Sequence, residues 1–222
     1  MRSILPTLAL AAAATALPSH APRSCAPSSR SKGFYLSAHA TDPSNPLTPF
    51  IDGLVLGTAH TGAGSGAAVF YNTDPATGRL FYQNGTAAQV AVGDTTIVTD
   101  GGTPPFPSSL QVQVADEARR IADISVGYGT PNVIRKRGKE PAALVNTLDE
   151  AQSGTYLACN ATVPYYRREF ITLQYVYDAA EGPALPEGCA PIVLLPRCGV
   201  LGELPEGSIS SHEFAVEVKC GV

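Results

Sequence analysis

The residues of this 222-residue chain that could do chemistry are scattered, and no local spacing joins them into a catalytic set. A nucleophilic serine is most clearly marked by the pattern Gly-x-Ser-x-Gly. Ser65 lacks this pattern, because Ala63 and Ala67 stand where the glycines are required. The sequence therefore does not predict a serine hydrolase.

Histidines and acids are present but carry no diagnostic spacing. His39, His60 and His212 lie at predicted strand ends, without the His-x-His or His-Glu-x-x-His spacing of a metal site. Glycoside hydrolysis needs two carboxylates about 5 to 10 Å apart across a cleft, and nothing local selects a pair. The candidate acids are Asp94, Asp100, Asp116, Glu169 and Asp178. We assign no catalytic residue, cofactor or metal ligand, and the prediction leans against an enzyme.

Residues 62–67 (Gly-Ala-Gly-Ser-Gly-Ala) satisfy the loosest form of the dinucleotide-binding fingerprint. That fingerprint works only where a helix follows the glycines, because the helix N-terminus binds the pyrophosphate. The next residues, 68–71 (Ala-Val-Phe-Tyr), favour a strand. We therefore predict a glycine-rich connection between two strands.

The best candidate for a binding surface is the run Tyr165, Tyr166, Arg167 and Arg168. The chain has no tryptophan and nine tyrosines, so tyrosine must supply any flat face for stacking on a sugar. A carbohydrate-binding module would show two or three coplanar exposed tyrosine rings. The alternative is that one ring packs inward while its neighbours face water.

The N-terminus predicts export. Arg2 precedes an apolar run at residues 4–14 that is far shorter than the ~20 residues of a membrane helix, so residues 1–16 are predicted to be a cleaved signal peptide. Residues 17–32, rich in Pro, Ser and Ala, are expected to form a flexible tail. The net charge of −4 with scattered cations argues against nucleic acid or an anionic membrane as partner.

Export makes three modifications relevant. Asn84 and Asn160 begin Asn-x-Thr sequons and are predicted to be glycosylated, Asn84 more strongly because Asn-Gly favours an exposed hairpin turn. Lys136 and Arg137 form a dibasic pair open to processing. Five cysteines in an oxidising compartment allow fifteen ways to form two bridges and leave one thiol, five odd residues times three pairings.

From residue 33 onward, short runs of strand formers alternate with Gly, Pro and Asn. We predict an all-β fold, an antiparallel β-sandwich or barrel of about ten to twelve short strands. Residues 89–92 are among the predicted strands, and residues 115–124 are the one candidate helix. In the run 169–177, the side chains of Ile171, Leu173, Tyr175 and Tyr177 form the expected core face.

Five segments together resemble a family of small secreted fungal proteins described as IgE-binding, otherwise a domain of unknown function. They are residues 34–36 (Phe-Tyr-Leu), 60–64 (His-Thr-Gly-Ala-Gly), 84–86 (Asn-Gly-Thr), 156–159 (Tyr-Leu-Ala-Cys) and Cys189. The resemblance covers residues 33–196, with 101–150 poorly matched, and implies a fungal, extracellular, β-rich protein without catalytic residues. Residues 197–222 resemble an added C-terminal extension of the single domain 33–222.

The resemblance also implies a cysteine pairing. Cys159 and Cys189 match the pair of the family-like region, and Cys198 with Cys220 would then be joined within the extension. Cys25 is left in the tail, free, capped, or linking two chains. A Cys25 to Cys220 or a Cys189 to Cys198 bond would contradict this assignment.

These features together predict a secreted β-domain protein of the cell wall or extracellular space. The expected role is non-enzymatic surface binding, with cell-wall glycans or host proteins as partners. The alternatives are a glycan-acting hydrolase, whose acids converge only in three dimensions, and a carbohydrate-binding module. The sequence does not fix the oligomeric state.

Overall fold

A computed structural model describes residues 29–42, 44, 47, 50–115, 119–127, 129–130, 133–135, 144–146, 154–177 and 185–221. These residues form strands, one short helix and one 3-10 turn (Pro75–Thr77), so the all-β prediction is confirmed. The strands are β1 (Ser29–Ser31), β2 (Gly33–Ala40), β3 (Leu56–Gly62), β4 (Ser65–Phe70), β5 (Phe81–Asn84), β6 (Thr96–Gly101), β7 (Phe106–Val114), β8 (Arg119–Val126), β9 (Val133–Arg135), β10 (Leu144–Asn146), β11 (Gly154–Val163), β12 (Arg168–Tyr177), β13 (Cys189–Gly199), β14 (Ala215–Val216) and β15 (Val218–Cys220). The helix is α1 (Ala87–Val92).

An 11-stranded antiparallel sheet closes on itself into a barrel. The closed circuit runs β11, β13, β2, β5, β6, β7, β8, β4, β12 and back to β11, which makes nine strands, with β3 added to β4 and β14 added to β5. Strand β4 meets two strands at once, since Ala67 lies opposite Asp123 of β8 and Val69 lies opposite Thr172 of β12. Closure leaves β11 paired on both sides, with β12 and with β13.

The core lies inside the barrel, on the face that the alternation of β12 predicts. Ile171, Leu173 and Tyr175 are buried in the main hydrophobic cluster, and Tyr177 packs against it. The opposite face of β12 is also covered, since Thr172, Gln174 and Val176 are buried. Strand β12 therefore contributes to packing on both of its faces, which a two-residue period alone does not indicate.

The predicted helix at residues 115–124 is wrong. The described residues of this stretch enter β8, which pairs with β7 over seven positions as a hairpin. Ala122 and Ile124 are buried, whereas Ile121 is exposed, which is the two-residue period of a half-buried strand. Pairing with the preceding strand β7 in a hairpin and with the distant strand β12 therefore decides this segment, where local propensity is ambiguous.

The predicted strand at residues 89–92 and the predicted hairpin turn at Asn84 and Gly85 are also wrong. Thr86 caps α1: its side chain accepts a hydrogen bond from the Gln89 amide, while Gln89 Oε1 accepts one from the Thr86 amide. This capping box satisfies amides at the helix start. Gly93 ends the helix in the left-handed conformation, at φ 80°.

Two disulfides join strands of the fold: Cys159–Cys189 links β11 to β13 within the barrel, and Cys198–Cys220 links β13 to β15. They are the two pairs expected from the resemblance. Cys159 and Cys189 lie opposite each other in the β11–β13 ladder, with Cα atoms 4.0 Å apart. Strand β1, at the end of the segment predicted to be a tail, pairs with β15, so both chain termini of the described fold meet there. Cys25 lies outside the described residues.

Candidate functional site

The run of two tyrosines and two arginines lies at the turn that joins β11 to β12. The amides of Tyr166 and Arg167 both donate to the Val163 carbonyl, which closes a tight turn. Arg167 has φ 53°, the left-handed conformation that non-glycine residues adopt only at such special positions. The turn leaves Tyr165 60% exposed and Tyr166 38% exposed, with both arginines exposed.

The fold brings three further aromatic side chains to this turn. His60 of β3 contacts Tyr165 with ring centroids 5.6 Å apart, and Tyr166 contacts Phe170 at 5.3 Å. Tyr165 and Tyr166 contact each other at 5.2 Å. The rings meet at 83°, 61° and 69° respectively, so they are edge-to-face rather than coplanar. The coplanar platform expected of a carbohydrate-binding module is therefore not present at this turn.

Arg168 is held against this cluster by two rings. Its guanidinium carbon lies 4.5 Å from the centroid of Phe170 and 5.6 Å from that of Tyr166. These distances are those of cation–π contacts. Phe170 packs in turn against Ala59, Val69 and Val163, which form a small buried cluster of β3, β4 and β11. The arginine therefore stands on a rigid apolar base.

Tyr71, which follows β4, completes the surface. Its hydroxyl donates to the Thr58 carbonyl at 2.8 Å, and its ring lies over Gly57, where an added Cβ would come within 2.5 Å of the ring. Burial raises the pKa of Tyr71, Tyr166 adds to the rise, and the positive charges of Arg79 and Arg168 oppose it.

We call this surface the aromatic–arginine patch. Its residues are His60, Tyr71, Tyr165, Tyr166, Arg167, Arg168 and Phe170. The sequence prediction named the four consecutive members, because they are adjacent and polar or amphipathic. It missed the roles of His60 and Tyr71, since only the pairing of β4 with β3 and β12 brings them to the turn, and no local signal could have indicated that contact. It also missed Phe170, although the two-residue alternation of β12 places this ring on the same face as Arg168.

Asp100, a candidate acid, lies against a histidine rather than a second carboxylate. Its Oδ2 is 2.8 Å from His212 Nε2, and the Tyr82 ring contacts the imidazole edge-on. Burial raises the pKa of Tyr82, and the Asp100 carboxylate adds to that rise. The Asp100–His212 pair holds the segment that connects β13 with β14 against β6. We therefore assign this pair a positioning role.

The remaining candidates are placed as follows. Within the described residues, no group of three or more His, Cys, Asp or Glu side chains could hold a metal ion. Glu169 is exposed on β12 and Asp94 follows α1, while Asp116 and Asp178 lie outside the described residues. A second acid–histidine pair, His39 with Asp52, is more exposed, with Nδ1 and Oδ1 2.7 Å apart. The glycine-rich stretch is the connection between β3 and β4, as predicted, with Gly64 at φ 70°.

The two sequons differ in exposure. Asn160 is exposed on β11, whereas Asn84 is half-buried at the end of β5, opposite Thr96 and Ala215. The argument that ranked Asn84 first rested on a hairpin turn that does not form. Lys136 and Arg137 lie outside the described residues. The described part of the chain contains no helix with the length and apolar character needed to cross a bilayer.

Comparison with known proteins identifies a family. Residues 31–198 match the family described as a domain of unknown function, DUF7907. The antigenic protein SchS34 of Stachybotrys chartarum is 36% identical over 202 residues, which cover 87% of this chain and 87% of that protein. No solved structure matches the chain. The chain therefore belongs to the DUF7907 family, whose description assigns it no biochemical role.

Proposed function

We propose that this protein is exported and binds glycans of the cell wall or extracellular space without acting on them, and that the aromatic–arginine patch is its binding surface. The observation that supports the site is a solvent-exposed ring, Tyr165, fixed edge-on by His60 and Tyr166. A sugar ring stacks its C–H face on such an aromatic face, while neighbouring polar groups bind its hydroxyls.

Three observations support export. Residues 1–16 have the pattern of a signal peptide. Two disulfides stabilise the fold, and such bonds persist in oxidising compartments. The relative SchS34 is named as an antigenic protein, which agrees with the IgE-binding resemblance and with an extracellular location. We also propose a fungal origin and N-linked glycans at Asn84 and Asn160.

The edge-to-face geometry limits the kind of contact. Coplanar rings would fit several successive sugars of a flat polymer, whereas perpendicular rings cannot all lie parallel to one such chain. We therefore expect a contact with one sugar ring, at a chain end or a branch, and an affinity in the weak range of a single stacking contact.

Binding to a panel of cell-wall polysaccharides tests the proposal. We expect Tyr165→Ala to reduce retention on the bound polysaccharide about tenfold or more, as loss of one stacking contact of about 1.5 kcal/mol implies. The matched control is Phe50→Ala, which removes an exposed ring outside the patch. If no polysaccharide retains the wild-type protein, or if both variants bind as it does, the proposal is wrong.

A further inference from the structure

The aromatic–arginine patch carries cations whose charge is unused. Within the described residues, neither Arg167 nor Arg168 forms an ion pair, although the chain as a whole has a net charge of −4. Glu169 lies between Arg168 and Phe170 in sequence. Strand alternation directs its side chain to the face opposite that of these two residues. The positive charge is therefore local to the turn and is not neutralised there.

The position of Arg168 prepares it for an anion. A guanidinium stacked on a ring uses its π face for that contact and keeps its in-plane N–H donors for a second partner. Phe170 and Tyr166 both lie against the guanidinium, so part of the side-chain freedom of Arg168 is already lost before binding. The planar fork of arginine matches the two oxygens of a carboxylate.

A third arginine, Arg79, adds to the positive charge at the patch. The positive charges of Arg79 and Arg168 both oppose the rise in the pKa of Tyr71. Arg79 donates through Nη1 to the Asp100 carbonyl at 3.2 Å, which holds it toward β6. The exposed ring of Tyr165 and the cations of Arg167 and Arg168 thus present one stacking face beside a positive edge.

We propose that the patch binds an acidic sugar, with the ring stacked on Tyr165 and the carboxylate paired with Arg168. This inference rests on the proposed function and adds the chemical class of its ligand. A uronic acid carries both required features in one residue, namely an apolar C–H face and a planar carboxylate. Neutral sugars provide only the first of them.

The test compares two oligosaccharides that differ only at C6 of each sugar ring, which is a carboxylate in one and a hydroxymethyl group in the other. Titration calorimetry is performed with a β-1,4-linked glucuronic acid tetrasaccharide and with a β-1,4-linked glucose tetrasaccharide, at low and at high salt. We expect the acidic oligosaccharide to bind at least about tenfold more tightly at low salt, as expected for one charge-assisted hydrogen bond, and the preference to shrink with salt.

Variants locate the effect. Arg168→Gln is expected to abolish the preference, Arg168→Lys to retain part of it, and Arg30→Gln, an exposed arginine of β1, to leave it unchanged. Melting temperatures of all variants confirm that they fold. Equal binding of both oligosaccharides by the wild type overturns the acidic-sugar inference and leaves the proposed function standing. Binding of neither oligosaccharide, together with no retention on polysaccharides, overturns both.

Discussion

Among the described residues, Tyr82 and Tyr156 have hydroxyls whose ionisation is strongly coupled to the fold. Burial raises the pKa of Tyr156 and of Tyr82, and Tyr175 adds to the rise at Tyr156. The Tyr156 side chain is buried, with only 4% of its surface exposed, and its hydroxyl has no hydrogen-bond partner among the described residues. An unpaired buried hydroxyl costs stability, because it loses its bonds to water.

Stability is expected to fall at alkaline pH. An unfolded tyrosine ionises near pH 10, while the folded groups keep their protons to higher pH, so the folded state binds more protons above that point. The contribution of these tyrosines to the free energy of unfolding should be constant below about pH 9 and decrease above about pH 10. We expect Tyr156→Phe to flatten this decrease and to leave stability at pH 7 equal or higher by about 1 kcal/mol.

Urea unfolding between pH 7 and pH 11, with tyrosinate absorbance followed in parallel, measures both effects. Tyr165→Phe is the control, since its exposed hydroxyl is hydrated in both states. A decrease in stability of the same slope in wild type and Tyr156→Phe would contradict the assignment of this residue.

Helix α1 is the element that depends most on a single side chain. It has six residues, too few to be stable alone, and none of them is buried. Thr86→Ala removes the cap and should lower the free energy of unfolding by about 1 kcal/mol, whereas Thr86→Ser should retain most of it. Both variants must be made in protein produced without glycosylation, because Thr86 also completes the sequon of Asn84. Equal loss in both variants would show that the hydroxyl is not the cap.

The elements also show what the sequence could and could not predict. The alternation of side chains was sufficient to predict which face of β12 lies in the core, because the run 169–177 is long and strongly patterned. Thr86 and Gln89 form a capping box that the sequence already displays as Thr-Ala-Ala-Gln, so α1 could have been predicted. Strand β8 was harder to predict, since its local propensity is ambiguous and one of its two partners, β12, lies far along the chain. The same reason hides His60 from any local search for the patch, whereas Phe170 shares the face of Arg168 by strand alternation.

At the scale of the whole molecule, the C-terminal segment is held by several independent contacts. Cys220 is bonded to Cys198, β14 pairs with β5, and His212 lies against Asp100. Removing the disulfide with Cys198→Ser and Cys220→Ser should lower the free energy of unfolding by about 3 kcal/mol on the chain-entropy account.

The loss should be visible locally as well. Hydrogen exchange is expected to accelerate in β1 and β15 before it does in β11 and β12, because only the first pair depends on Cys220 for its attachment. The matched variant replaces Cys159 and Cys189. Their bond closes a loop of similar length, with a sequence separation of 30 residues against 22 for Cys198–Cys220. Acceleration spread evenly over the barrel in the first variant would contradict this expectation.

The meeting of β1 and β15 also determines how the protein responds to mechanical tension. Ser29 lies opposite Cys220, so a pull on the two chain ends separates the strands from one end and breaks their hydrogen bonds one after another. Once β1 is detached, force that enters at Cys220 passes through the disulfide to Cys198 and into β13. Residues 199–219 then carry no tension while that bond is intact. A chain pulled at both ends would thus keep His212 and β14 in place until that disulfide breaks or the barrel opens.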